Sequence, residues 1–157
     1  MKKGALFIGL FILALAAGQA GRIYAQSADL SQAKVVEMNG SAQFEKAGTS
    51  AWLPLDKNTL LSEGDTVKTA HGSQVRLELV GNAKTAEIVV RENSEFLFKT
   101  FRHDEGAKLD NTLLDVEVGS VLVKAEKLVG NSKFEVKTPT SIVGIRGTIF
   151  EVNVTQA

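Results

Sequence analysis

From Lys34 onward, apolar and polar residues alternate in short runs, and a turn signal closes each run. Val75, Leu77 and Leu79 would face a core while Arg76 and Glu78 face water. Ala86, Ile88 and Val90 repeat the pattern, as do Phe96 with Phe98, and Leu114 with Val116 and Val118. A period of two sends successive side chains to opposite faces, so each run predicts a half-buried strand. Near the end of the chain Phe134 and Val136, then Phe150, Val152 and Val154, flank a Thr-Pro-Thr turn and a Gly-Ile-Arg-Gly segment.

The punctuation comes roughly every six to twelve residues, as short antiparallel strands require. Asn39-Gly40, Glu63-Gly64-Asp65, His71-Gly72, Gly81-Asn82 and Gly130-Asn131 read as turns. Val118-Gly-Ser-Val121 is a hairpin candidate, with Gly at the first central position of a two-residue turn. Phe101 to Asn111 is the most polar stretch and is expected to be an exposed loop. Pro54 and Pro139 are expected at strand edges or turns, where a missing N–H does no harm. No long amphipathic helix is legible after the N-terminal segment. The expectation is an all-β single domain of about ten to twelve short, mostly antiparallel strands, as a sandwich, roll or barrel-like body.

Residues 1–25 stand apart from that pattern. Lys2 and Lys3 precede twelve apolar residues, Leu6 to Ala17, and small and polar residues run on to Ala25. This is the three-part pattern of a secretory signal peptide, a helix removed on export. The apolar run is shorter than the roughly 20 residues a spanning helix needs, so no stable membrane span is expected after cleavage. Cleavage after Ala25 is favoured over cleavage after Ala20, and the export it implies is to the periplasm or the medium. The remaining organisation is a polar, flexible leader at 26–33, a β domain at 34–154 and a tail at 155–157.

The formal charge of the whole chain is zero, from 18 basic and 18 acidic residues. Lys2, Lys3 and Arg22 fall in residues 1–25, which carry no acid, so the mature part has charge −3. A mildly acidic domain without a basic stripe has no electrostatic reason to bind nucleic acid. No cysteine is present, so neither a disulfide nor a lipidated N-terminal Cys can form.

Catalytic and metal-binding frames are poorly represented. His103-Asp104-Glu105 invites a metal reading, but adjacent residues point in different directions, and the only other histidine is His71. No Gly-x-Ser-x-Gly elbow, phosphate-binding glycine loop or calcium loop occurs. A non-catalytic protein without cofactor is therefore expected.

Several passages, in order, resemble FecR-like domains. They are Trp52-Leu53-Pro54-Leu55, then Leu60 to Thr69 with its Gly64-Asp65, Ser73 to Leu79, and Glu92-Asn93-Ser94 with the strand after it. Leu114 to Lys124, Thr138-Pro139-Thr140 and Gly144-Ile-Arg-Gly147-Thr148 complete the series. The resemblance covers roughly Lys34 to Val154. It implies an exported, non-catalytic binding or sensing module that works through protein–protein contacts in the envelope or outside the cell. Only a few residues, with Lys2 and Lys3 among them, precede the apolar run, so the cytoplasmic segment with which the best-known members control a sigma factor is not expected here. The alternative is a cell-wall or polysaccharide-binding module.

The candidate interaction or structural motif is Thr138, Pro139, Thr140, Gly144, Arg146, Gly147 and Thr148. Arg146 between two glycines could offer five donors to a partner's carboxylate or phosphate. The plainer reading is that it ion-pairs inward, with Glu63-Gly64-Asp65 as a candidate, and pins the last strand. The threonines could serve a ligand or only stabilise the turn. Trp52 is expected to pack in the core or at its rim rather than to bind a sugar.

Overall fold

The computed structural model describes residues 31–80, 86–104, 109–128 and 130–155. The residues of the expected signal peptide lie outside these. So do Gln26 to Leu30 of the expected leader, the Gly81-Asn82 turn, and Gln156 and Ala157 of the tail. Each alternating run forms a strand with its apolar side inward. In chain order these are β1 Gln32–Asn39, β2 Ala42–Glu45, β3 Trp52–Pro54, β4 Leu60–Leu61, β5 Thr66–Thr69 and β6 Gln74–Val80. They continue as β7 Ala86–Val90, β8 Glu95–Asp104, β9 Leu109–Ala125, β10 Lys133–Lys137, β11 Ile142–Ile145 and β12 Ile149–Val154. The first strand begins at Gln32, two residues ahead of the expected domain start.

The twelve strands form one curled sheet, a half-barrel whose two layers face each other. One layer runs β3-β2-β5-β8-β9-β10-β11 and the other β4-β1-β6-β7-β9-β12. The described pairings are antiparallel except that of β10 with β9, which is parallel. The all-β, mostly antiparallel expectation is met.

Strand β9 belongs to both layers. Its first half pairs with β8 and β10, and its second half with β7 and β12. The expected hairpin at Val118-Gly-Ser-Val121 is therefore absent: the chain bends there and stays extended. Two devices make the bend. Glu95 pairs with Val118 but Phe96 with Val116, leaving Glu117 as the extra residue of a bulge. Gly119 then takes φ +97°, and a Cβ there would come within 2.4 Å of the Ser94 Cα. Only glycine permits that approach. The Ser120 N–H donates to Ser94 Oγ at 3.0 Å and fixes the corner.

The expected loop from Phe101 to Asn111 is also corrected. Phe101 to Asp104 continue β8, and Leu109 to Asn111 open β9. Polarity misled here because Arg102 is exposed and Asp110 and Asn111 are only half-buried, while their backbone stays in the ladder. A second bulge shifts the register between Phe98 and Thr100, so Phe96, Phe98 and Phe101 all turn inward. The Phe96 and Phe98 rings meet edge-on at 5.1 Å, and Phe98 stacks on Phe101 at 5.4 Å. Around them lie Leu55, Leu61, Leu77, Ile88 and Leu114, all fully buried. Among the described residues no helix is long and apolar enough to cross a membrane.

Candidate functional site

The last three strands carry the motif. The β10–β11 hairpin closes on Thr138, whose N–H donates to the Ser141 carbonyl at 2.8 Å. Its Oγ1 accepts from the Ser141 N–H at 3.1 Å and the Thr140 N–H at 3.4 Å. Thr138 is thus a buried turn fastener, while Pro139 and Thr140 stand exposed at the tip.

After β11 the chain crosses from one layer to the other. Ile145 is buried, in register with the buried Phe134. Gly147 takes φ +82°, and a Cβ there would lie 2.7 Å from the Lys127 Cα. The Thr148 carbonyl accepts from Ala125 N at 3.1 Å and starts the next ladder. Gly144 is exposed and a Cβ on it would meet nothing within 4 Å. So Thr138 fastens the hairpin turn, Gly147 and Thr148 hold the crossover, and Arg146 is displayed by it.

Arg146 is exposed and has no hydrogen bond or ion pair to another described residue. The inward pairing with Glu63-Gly64-Asp65 does not occur; those acids are engaged by other groups. Glu63 Oε2 accepts from Phe101 N at 2.9 Å, and both its oxygens accept from Arg102. Asp65 accepts from Ala47 N at 3.0 Å and Ser62 N at 2.9 Å, with Lys46 Nζ 3.8 Å away.

The surroundings of Arg146 were not singled out from the sequence. Lys133 and Arg146 each lie one residue past the Phe134–Ile145 pair, at the open end of the hairpin, where the β10–β11 ladder has stopped. Lys133 is exposed and likewise unpaired among the described residues. The edge strand beside them exposes Ile142 at 64% and Val143 at 39%. Their adjacency was the available signal, since two neighbouring apolar residues on a strand cannot both face one core. Further along β10, Lys137 donates to the buried Asp115 carboxylate at 2.7 Å. That hydrogen bond raises the pKa of Lys137.

Trp52 lies at the far edge of the same layer, half-exposed on β3, with Lys68 Nζ 5.9 Å from its ring centroid. Beside it a cleft of about 420 Å³ is lined by Ser41, Gln43, Pro54, Lys68, Thr69 and Ala70. His103 and Asp104 lie on β8, in register with Asp110 and Leu109, and Glu105 falls outside the described residues. Among the described residues no group of three or more His, Asp or Glu could hold a metal.

A protein-family model described as FecR protein matches residues 65–157. No curated protein and no solved structure matches the chain. The matched stretch begins just before β5 and contains the shared strand β9, the crossover and Arg146.

Proposed function

We propose that this chain, which belongs to the FecR family, is an exported binding or sensing module acting through protein–protein contacts in the envelope or outside the cell. Domains of this family are generally non-catalytic, and we read this one the same way. The observation that carries the proposal is Arg146. The fold constrains both neighbours, burying Ile145 and holding Gly147 at positive φ against Lys127, yet leaves Arg146 exposed. An arginine left without a partner among the described residues at the end of an open strand, on the strand that exposes Ile142 and Val143, fits a surface completed by a partner's carboxylate. The guanidinium fork then supplies two directed hydrogen bonds.

Affinity capture tests this reading. The full chain and Arg146→Ala, each checked for folding, serve as parallel baits in the envelope fraction of the source cell. A protein retained at defined stoichiometry by the wild type and lost with the variant is the expected result. Retention of the same protein by both baits removes Arg146 from the interface.

The exposed Trp52 and the adjacent cleft favour a polysaccharide as the second reading. It expects sedimentation with insoluble wall material and a change in Trp52 fluorescence on adding sugars.

A further inference from the structure

The described residues leave four open strand edges: β3 and β11 in one layer, β4 and β12 in the other. An open edge offers unpaired N–H and C=O groups to any passing strand, and proteins usually shorten, charge or interrupt it. Strand β3 has three residues and ends in Pro54, β4 has two and β11 has four. Strand β12 has six residues, Ile149 to Val154, with no proline and no lysine. Its single charged side chain, Glu151, is held by Arg91 Nε at 2.8 Å and Ser120 Oγ at 2.7 Å.

We propose that the open edge of β12 pairs antiparallel with β12 of a second copy of this chain, with Val152 opposite Val152 of that copy. The pairing stands independently of the protein partner assigned above.

Two backbone bonds fix which groups of β12 face outward. Ala125 N donates to the Thr148 carbonyl, so the Thr148–Ala125 pair is hydrogen-bonded. In an antiparallel ladder such pairs alternate. Phe150, Val152 and Val154 therefore turn their backbone groups toward β9, and Ile149, Glu151 and Asn153 turn theirs outward. The second bond agrees: Arg91 N donates to the Ser120 carbonyl, on the side of β9 away from β12.

That pattern restricts self-pairing to few registers. Outward groups must meet outward groups, so a slip that sets Glu151 opposite Val152 fails. Centring the pair on Glu151 would oppose two carboxylates, which destabilises. Centring it on Phe150 runs the pairing out of β12 into Gly147 and Arg146. Centring it on Val152 sets Glu151 opposite Asn153 at both ends of the two-fold axis. The same register brings Phe150 against Val154 of the second copy. All three apolar residues face the core and are only half-buried at this edge. A neighbouring strand would finish covering them, and a two-fold contact of one patch with itself is the common way to do so.

Sedimentation of the protein purified from cells expressing the full chain, over a range of concentrations, tests the proposal. A monomer–dimer equilibrium is expected. Asn153→Lys places a cation opposite Glu151 twice per dimer and should tighten the dissociation constant about threefold to tenfold. Asn153→Asp should weaken it by a similar factor. Asn153→Pro should abolish the dimer, because the N–H it removes points away from β9 and its own layer keeps every ladder bond. If the proline variant misfolds, the opposite signs of the Lys and Asp variants decide. A monomer at every concentration overturns the proposal, as does a dimer on which Lys and Asp act alike or which the folded proline variant retains. A β12 edge that takes a strand of a different protein instead overturns it too.

Discussion

Arg102 grips Glu63 with both ends of its guanidinium, Nε at 3.2 Å from one carboxylate oxygen and a terminal nitrogen at 3.1 Å from the other. The contact ties the turn between β4 and β5 to the outer end of β8, across 39 residues of sequence. The Phe101 N–H adds a third bond to the same carboxylate.

The Arg102 hydrogen bonds, followed by the one from Phe101, hold the Glu63 carboxyl below its ordinary pKa. A depressed carboxyl pKa stabilises the fold above the unfolded-state value, and the gain is lost as pH falls through the folded value. Glu63→Gln should therefore cost about 1 kcal/mol at neutral pH, the upper end for a partly exposed pair. The difference from wild type should vanish in acid and narrow in high salt. Urea unfolding of both proteins across a pH series would show it.

Gly119 at the β9 corner and Gly144 on β11 should respond very differently to alanine. Gly119→Ala forces a side chain into positive φ and into Ser94, and should cost about 3 kcal/mol or more. Gly144→Ala meets open space and should stay within about 0.5 kcal/mol of wild type. Thermal unfolding of the two variants side by side measures the contrast.

Phe98 is fully buried and contacts aromatic rings on both sides. Phe98→Ala should lose about 3–5 kcal/mol, the range for a large core residue replaced by alanine. A loss below about 1 kcal/mol in denaturant titration would show that the aromatic row does not anchor the core.

Arg146→Ala should leave stability within about 0.5 kcal/mol, since the exposed side chain makes no hydrogen bond or ion pair with a described residue. A larger drop in melting stability would mean that the arginine holds the crossover, and would return it to a structural role.

Much of the body was legible because the core side of each strand is written in alternation. Val75, Leu77 and Leu79 are buried as expected, and so are Ala86, Ile88 and Val90. The resemblance to FecR-like domains was likewise readable from the ordered motifs, and the family match includes the closing one. What alternation cannot show is where a strand changes layer. At Gly119-Ser120 a turn signal and a strand corner have the same residues, and only the approach of Ser94, 25 positions earlier, decides between them. Phe101 was lost to a polar stretch because a one-residue bulge reset the period. The direction of Arg146 was equally hidden: glycines on both sides mark an unusual backbone but do not say which way the side chain leaves. Arg146 stands in solvent, and the acids it was expected to seek are held by Arg102 and Lys46.

The strand shared by both layers has a mechanical consequence. Because β9 supplies a central member to each layer, neither can peel away while the other keeps its full set of neighbours. The two faces of the domain are set to melt as one cooperative unit, with the slowest amide exchange along Leu114 to Val123. A pull applied at the edge carrying Arg146 reaches the opposite face through one continuous backbone, without a hinge between them.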